Sequence, residues 1–256
     1  MAYRRAMTPD RIALQLYTVR ELAAVDLAGT LNAVAAAGYR AVELAGLPPA
    51  APGELRRLLA DAGLRSVASH ESIDLLRANA AAVADRLADL GCPQIVVPSM
   101  PPADRLTSDD VRRFADDLND LAGRVAGRGL RLAYHNHEFE FDALESTTAW
   151  DLLLECLAPE VELELDVYWA AVAGHDPVAL IRATTGRVRS LHMKDLVADP
   201  EPRDAPAGDG TLDFPAIIAA GRAAGVDWYI AEQDEPVAPL DDIGRAYRYL
   251  AAIAGS

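Results

Sequence analysis

The chain has 256 residues and a mass of 27.4 kDa, a length that admits one large domain or two small ones. With 51% apolar and 25% charged residues and no tract of one residue type, it can bury a sizeable core and is neither disordered nor fibrous. A net charge of −15, from 39 acidic against 24 basic residues, repels phosphate backbones and anionic lipid alike, so neither nucleic acid nor membrane is an expected partner.

From end to end, short β-type runs alternate with longer amphipathic stretches. The first run, RIALQLY (11–17), precedes DLAGTLNAVAAAG (26–38), which opens on an acidic cap and closes on glycine. YRAVELA (39–45) is followed by PGELRRLLADAG (52–63), with proline at its start and glycine past its end, both of which are helix boundary signals. LRSVASH (64–70) leads into ESIDLLRANAAAVADRLADLG (71–91), and PQIVVPS (93–99) into SDDVRRFADDLNDLAGRVAGRG (108–129). The second half repeats the theme: LRLAYHN (130–136) with TTAWDLLLECLAP (147–159), VELELDV (161–167) with DPVALIRATTGR (176–187), VRSLHMK (188–194) with DFPAIIAAGRAAG (213–225), and WYIAEQD (228–234) with PLDDIGRAYRYLAAIA (239–254).

Eight such units over 256 residues average 32 each, which matches the strand, loop and helix of a (β/α)8 TIM barrel. An open doubly wound sheet is the alternative, but a dinucleotide-binding version requires GxGxxG after the first strand, where LQLYTVREL stands without a glycine. No linker or composition shift divides the chain, so residues 1–256 read as a single α/β domain. The N-terminal stretch MAYRRAMTPDRIALQLY lacks an apolar run of leader length, and no 18 consecutive apolar residues occur anywhere. Cys92 and Cys156 form no CxxC pair, so a cytoplasmic protein without a disulfide framework or zinc knuckle is expected.

In such a barrel the chemistry sits at the C-terminal strand ends, and the late strands end in polar residues. The fifth ends in Tyr134, His135, Asn136, His137 and Glu138; the sixth in Asp166, Tyr168 and Trp169; the seventh in His192, Lys194 and Asp195; the eighth in Glu232, Gln233 and Asp234. Carboxylates and imidazoles converging on one mouth repel one another unless a cation sits among them. Glu138, Asp166, His192 and Glu232 are therefore the expected ligands of one divalent metal ion. An oxygen and nitrogen shell without thiolate suits Mn²⁺, Mg²⁺ or Co²⁺, with Zn²⁺ also admitted.

Any one of these carboxylates alone also makes an ordinary helix cap or loop ion pair. His135 and His137 share one face of an extended strand, and His70 ends the third strand as an expected substrate contact. Phe139, Phe141 and Trp169 are candidates for the pocket wall. Gln15, Glu43 and Ser99 occupy similar strand ends that loop polarity explains equally well. His175 is expected in solvent, and GDGTLDF (208–214) reads as a turn leading into the next helix. Lys194 is the only lysine among 24 basic residues. That singularity suggests a need for its compact ammonium, which arginine does not supply.

QLYTVR, YHNHEFEF, ELDVYW, LHMKD, GDGTLDF and AEQDE, in this order and spacing, resemble the xylose isomerase-like TIM-barrel superfamily of sugar phosphate isomerases and epimerases. The resemblance covers essentially the whole chain. It implies a single divalent metal, Mn²⁺ foremost, held by two Glu, an Asp and a His on strands five to eight, and Asp166, His192 and Glu232 match three of those positions. Many family epimerases carry the strand-five Glu nearer the position of His135, which makes His135 the alternative to Glu138. The HNH-acid pattern looks closer to the inosose dehydratases and to the branch acting on 3-keto-glycosides, including carbon-glycoside deglycosidases; there a strand-five histidine serves as base, which falls on His137.

The implied activity is isomerisation or epimerisation of a keto sugar, through proton abstraction next to a carbonyl and a metal-stabilised enediolate. Elimination by a dehydratase or lyase of the same fold is the alternative, and a non-catalytic binding subunit is a third class. His137, Glu138, Glu232 and Lys194 are the expected catalytic groups, and His70, His135, Trp169 and Lys194 the expected substrate contacts. His137 competes with a two-glutamate scheme in which Glu138 and Glu232 carry the proton. A small sugar is the expected partner, with a homo-oligomer or partner subunit also admitted; Trp150 and the C-terminal helix RAYRYLAAIA are candidate dimer surfaces, although apolar helix residues more often face the barrel.

Overall fold

The computed structural model describes residues 7–198 and 200–254; the opening MAYRRA of the N-terminal stretch lies outside them. Eight parallel strands close a barrel, each beginning within two residues of its expected run. They are β1 (Ile12–Gln15), β2 (Ala41–Leu44), β3 (Arg65–His70), β4 (Gln94–Val97), β5 (Arg131–His135), then, beyond the two-stranded ribbon of β6 (Ala143–Leu144) and β7 (Thr147–Thr148), β8 (Val161–Asp166) and β9 (Val188–Met193). A second ribbon, β10 (Asp195–Val197) with β11 (Arg203–Ala205), precedes β12 (Trp228–Ala231), which pairs with β1 to close the ring.

Side chains alternate between the barrel axis and the helical shell. Along β1 and β2, Ala13 and Ala41 turn inward to meet Val67 and Ile230 in a small central layer, and Ala68, Val96 and Ala133 form another. The intervening leucines, isoleucines and valines join the large core under the helices. These thin apolar layers separate two polar ends. At the N-terminal end, Arg131 reaches Glu162 at 2.9 Å and Arg189 reaches Asp227 at 2.6 Å, with Arg11 and Arg65 over the Trp228 ring.

The helix boundaries have local causes. Asp26 caps the helix Leu27–Ala36 through the Gly29 amide, Ser72 caps Ile73–Leu90 through Leu75, and Asp213 caps Phe214–Ala224 through Ala216. Gly91 ends the long helix in the left-handed region at φ 84°, the conformation glycine adopts without penalty.

GDGTLDF is a turn built around Asp195. Its buried carboxylate accepts hydrogen bonds from the amides of Leu196, Gly208, Gly210 and Leu212 at 2.8–3.0 Å. A Cβ on Gly210 would lie 2.4 Å from that carboxylate, and Gly208 has φ +96° against the Tyr249 ring. Both glycines are therefore required by packing, and no ligand is needed to explain them.

Candidate metal centre

Strand pleating sends the polar strand ends to one place. Asp166, His192 and Glu232 each offer a ligand atom within 4.8 Å of the others, and all three are buried. A second group, His70, His135, Glu164 and His192, meets the same criterion and shares His192 with the first.

Asp166 ends β8, where the chain turns directly into the helix Val167–Val172. Its Oδ1 caps that helix through the amides of Tyr168 (2.8 Å) and Trp169 (3.2 Å). The other oxygen, Oδ2, is buried without a hydrogen bond and faces the Lys194 ammonium at 3.2 Å. One carboxylate thus serves the backbone with one oxygen and the site with the other. Glu232, just past β12, places Oε2 2.7 Å from His192 Nδ1 and 3.1 Å from Lys194 Nζ. Asp234 lies 2.6 Å from the same ammonium.

The electrostatics follow from burial and pairing. Burial works against a charged Lys194, but Asp166, Glu232 and Asp234 outweigh it and hold the ammonium well above the usual lysine value. Burial alone would raise Glu232; Lys194 and His192 instead pull it well below the usual carboxylate range. His192 is raised well above an ordinary histidine by Glu164 and Glu232 despite its burial. Asp234 is pushed up to about 6, chiefly by burial, with Lys194 opposing.

The donor set fits a divalent cation: two carboxylates and an imidazole, one carboxylate oxygen without a hydrogen bond, no thiolate, and a cationic group already drawn against the same oxygens. His135 Nε2 is 3.9 Å from Asp166 Oδ2, on the strand-five side of this group.

The structure does not bring Glu138 into either group. β5 ends at His135, and the chain then turns into the one-turn helix Phe139–Phe141 with Glu138 as its half-buried N-cap residue. Glu138, the expected strand-five ligand and proton carrier, thus stands apart from both groups. His135, 3% exposed, is the strand-five side chain that the fold aims inward.

His70, expected to meet substrate, has Nε2 2.9 Å from Glu164 Oε1 and 3.3 Å from Glu43 Oε2. Burial would lower its pKa, but those two carboxylates raise it to about 10. It still lines the adjacent cavity, so it is at once a pocket wall and an ion-pair partner. That cavity, about 330 Å³, is bounded by Tyr17, His70, His135, His137, Lys194, Glu232 and Asp234, among others. Its volume is at the lower end of the range for small-molecule sites, roughly 300–1,000 Å³.

His137 sits at the cavity edge with Nδ1 buried and without a partner. Burial, then the neighbouring His135 and Lys194, lower its pKa to about 2, so the ring is neutral. It stacks on Phe139 (centroids 5.6 Å) and lies 5.5 Å from Trp169, whose ring also faces Lys194 at 5.4 Å. Phe141 packs on Trp150 and His175 and takes no part in the cavity wall. His175 is exposed as expected.

Glu164 is a buried acid beside the site that strand-end polarity did not single out, and Glu43, a strand-end candidate that loop polarity explained equally well, is buried beside it. Glu164 is an interior strand residue, but Glu162, Glu164 and Asp166 alternate along VELELD. That alternation is the signal of an acidic inward face.

The family described as xylose isomerase-like TIM barrel matches residues 31–253. The chain belongs to that family. It is similar to the inosose dehydratase of Lacticaseibacillus casei, 29% identical over 167 residues, with 57% of this chain and 55% of that one covered. The 3-dehydroshikimate dehydratase of Pseudomonas aeruginosa is 29% identical over 194 residues, with 69% of this chain and 30% of that one covered. The chain thus spans about half, or less, of the length of these relatives. Among solved structures, a sugar phosphate isomerase/epimerase from Parabacteroides distasonis superimposes with a TM-score of 0.83 at 25% identity, over 95% of this chain and 94% of that one. No helix among the described residues is long and apolar enough to cross a membrane.

Proposed function

We propose that the chain is a divalent-metal-dependent lyase that eliminates a β-substituent, water in the simplest case, from a cyclic polyhydroxylated ketone. The observation that carries this reading is the buried group of Asp166, His192 and Glu232 opening onto a cavity that holds a neutral, unpartnered histidine and the lone lysine. The dehydratase relatives favour elimination over the isomerase or epimerase expected from the motifs.

Asp166 through Oδ2, Glu232 through Oε2 and His192 through Nδ1 would hold the ion, with His135 as the neighbouring strand-five donor. When bound, the ion supplies Lewis-acid polarisation of the ketone oxygen. Mn²⁺ is the expected ion, and Mg²⁺, Co²⁺ or Zn²⁺ suits the same donors. His137 takes the proton from the carbon beside the carbonyl, for which it must start unprotonated, as its burial ensures. The C–H electron pair becomes the C=C bond as the C–O bond to the β-substituent breaks. Lys194 supplies the proton with which that hydroxyl leaves as water, and His137 returns its own proton to Lys194 to close the cycle. His70 walls the ring in, and Trp169, packed against His137 and Lys194, backs the two groups that move protons. Isomerisation is the second reading, favoured by the close superposition on the sugar phosphate isomerase/epimerase; it requires that the proton taken by His137 be delivered to the neighbouring carbon while the hydroxyl proton there passes to the former ketone oxygen, with no C–O bond broken.

The test is incubation of the Mn²⁺-reconstituted protein with inososes, 3-dehydroshikimate and 3-keto-glycosides in D₂O, followed by proton NMR. Elimination gives a conjugated alkene signal, whereas isomerisation gives C–H exchange without one. His137→Ala is expected to lower either rate about 10²–10⁴-fold and leave the metal content unchanged. Full activity of His137→Ala removes the histidine scheme, and metal-loaded protein that neither exchanges nor eliminates with any of these ketones removes the lyase reading.

A further inference from the structure

His192 is the one side chain common to both titratable groups, and it meets them with opposite ring nitrogens. Nδ1 faces Glu232 Oε2 at 2.7 Å, whereas Nε2 faces Glu43 Oε2 at 2.7 Å and Glu164 Oε1 at 3.0 Å. A neutral imidazole has one N–H and one lone pair. If the lone pair on Nδ1 goes to a cation, Nε2 carries the hydrogen, and here that hydrogen points at two fully buried carboxylates.

Those carboxylates are themselves fixed from several strands. Gln15 Nε2, on β1, donates to Glu43 Oε2 at 2.9 Å. Ser190 Oγ, on β9, donates to Glu164 Oε2 at 2.7 Å. His70, on β3, spans both carboxylates, and its ring lies parallel to that of His192 at a centroid distance of 5.5 Å. Residues of β1, β2, β3, β8 and β9 therefore converge on the orientation of a single ring.

We propose that Glu43 and Glu164 are positioning residues: they hold the Nε2–H tautomer of His192 and so aim Nδ1 at the cation held by Asp166 and Glu232, with Gln15, Ser190 and His70 bracing them. This rests on the metal reading above and extends it to two acids that touch neither the ion nor the substrate. Carboxylates behind a ligating imidazole fix its ring and raise its basicity, and their loss generally costs about 10–100-fold in metal affinity. A second ion in the deeper group would require Nε2 as a ligand as well, leaving His192 no N–H to give Glu43.

The experiment is calorimetric titration of Mn²⁺, and of Zn²⁺ as a diamagnetic probe, into metal-stripped protein and its Glu43→Gln, Glu43→Ala and Glu164→Gln variants. Circular dichroism melts accompany each variant to establish that it folds, and Glu43→Gln keeps the side-chain shape in case Glu43→Ala does not. One equivalent per chain is expected throughout, with the dissociation constant raised about 10–100-fold in Glu43→Ala and less in Glu43→Gln, whose amide oxygen still accepts. In the zinc form, ¹⁵N imidazole spectra are expected to show His192 with its hydrogen on Nε2. Equal affinities in unmodified protein and folded variants overturn the inference and leave the metal reading standing. Two equivalents per chain, one of them lost with Glu43 or Glu164, overturn it by making those acids ligands of a second ion. Unmodified protein that takes up no ion overturns the metal reading itself.

Discussion

Glu140 shows how a single residue sets the local chemistry. Its carboxylate is completely buried, accepts the His137 amide at 2.8 Å and bonds the Tyr134 hydroxyl, so it pins the turn that presents His137. Burial raises its pKa to about 7, with the Tyr134 and His137 bonds opposing. In the unfolded chain the same group titrates near 4.5. The folded state therefore binds the proton more tightly, and its stability is greatest below about pH 4.5 and falls as pH rises through 7. A shift of that size corresponds to ~3 kcal/mol. Glu140→Gln cannot ionise, so the stability of unmodified protein relative to this variant is expected to fall by most of that amount between pH 5 and pH 8. Urea melts of both proteins at the two pH values measure it, and parallel pH dependences would show that folding leaves the Glu140 carboxyl ionised at both pH values, with its pKa not raised.

At the scale of elements, the loop after β11 depends on one side chain, Asp195 of β10. Four backbone amides converge on the Asp195 carboxylate, and such charge-assisted bonds exceed neutral ones in strength. Asp195→Asn replaces one acceptor oxygen by an NH₂ that faces two amide donors, which at roughly 1–3 kcal/mol per unsatisfied buried group predicts a loss of about 2–6 kcal/mol. Chemical denaturation reads this directly, and a loss under 1 kcal/mol would mean that the loop finds other acceptors. The same element was legible in the sequence as a turn because two glycines flank an aspartate there.

The eight strands were legible because pleating leaves an alternating trace, and their helices because Asp26, Ser72 and Asp213 stand where caps belong. Asp166, His192, Lys194 and Glu232 were legible as polar strand ends. Glu138 stands apart from the two groups because the last residue of β5 is His135, and the chain turns before it reaches Glu138. Glu164 was obscured, and Glu43 was visible only as a strand end that loop polarity could explain, for a different reason: an acid within a strand normally marks its solvent face, and only closure of the sheet turns that face inward.

For the whole molecule, charge balance links the site to stability. The chain carries −15 overall, and at the barrel mouth Asp166, Glu232 and Asp234 face a single lysine within 3.2 Å. A divalent ion adds positive charge where carboxylates from β8 and the end of β12 are forced together, so it ties distant parts of the sequence in the folded state alone. A ligand that binds only the folded state contributes about 2.7 kcal/mol at 100 times its dissociation constant. For a chain of this length, 1 kcal/mol moves the melting temperature by about 2–4 °C, so saturating Mn²⁺ is expected to raise it by about 5–11 °C. Asp166→Ala and Glu232→Ala remove ligand oxygens and should lose both the rise and the bound metal, measured by scanning calorimetry and by elemental analysis of protein purified without chelator or nickel. A rise of the same size in both variants would place the stabilising ion elsewhere on the acidic surface, because a site formed by Asp166, His192 and Glu232 does not survive the loss of either carboxylate at full affinity.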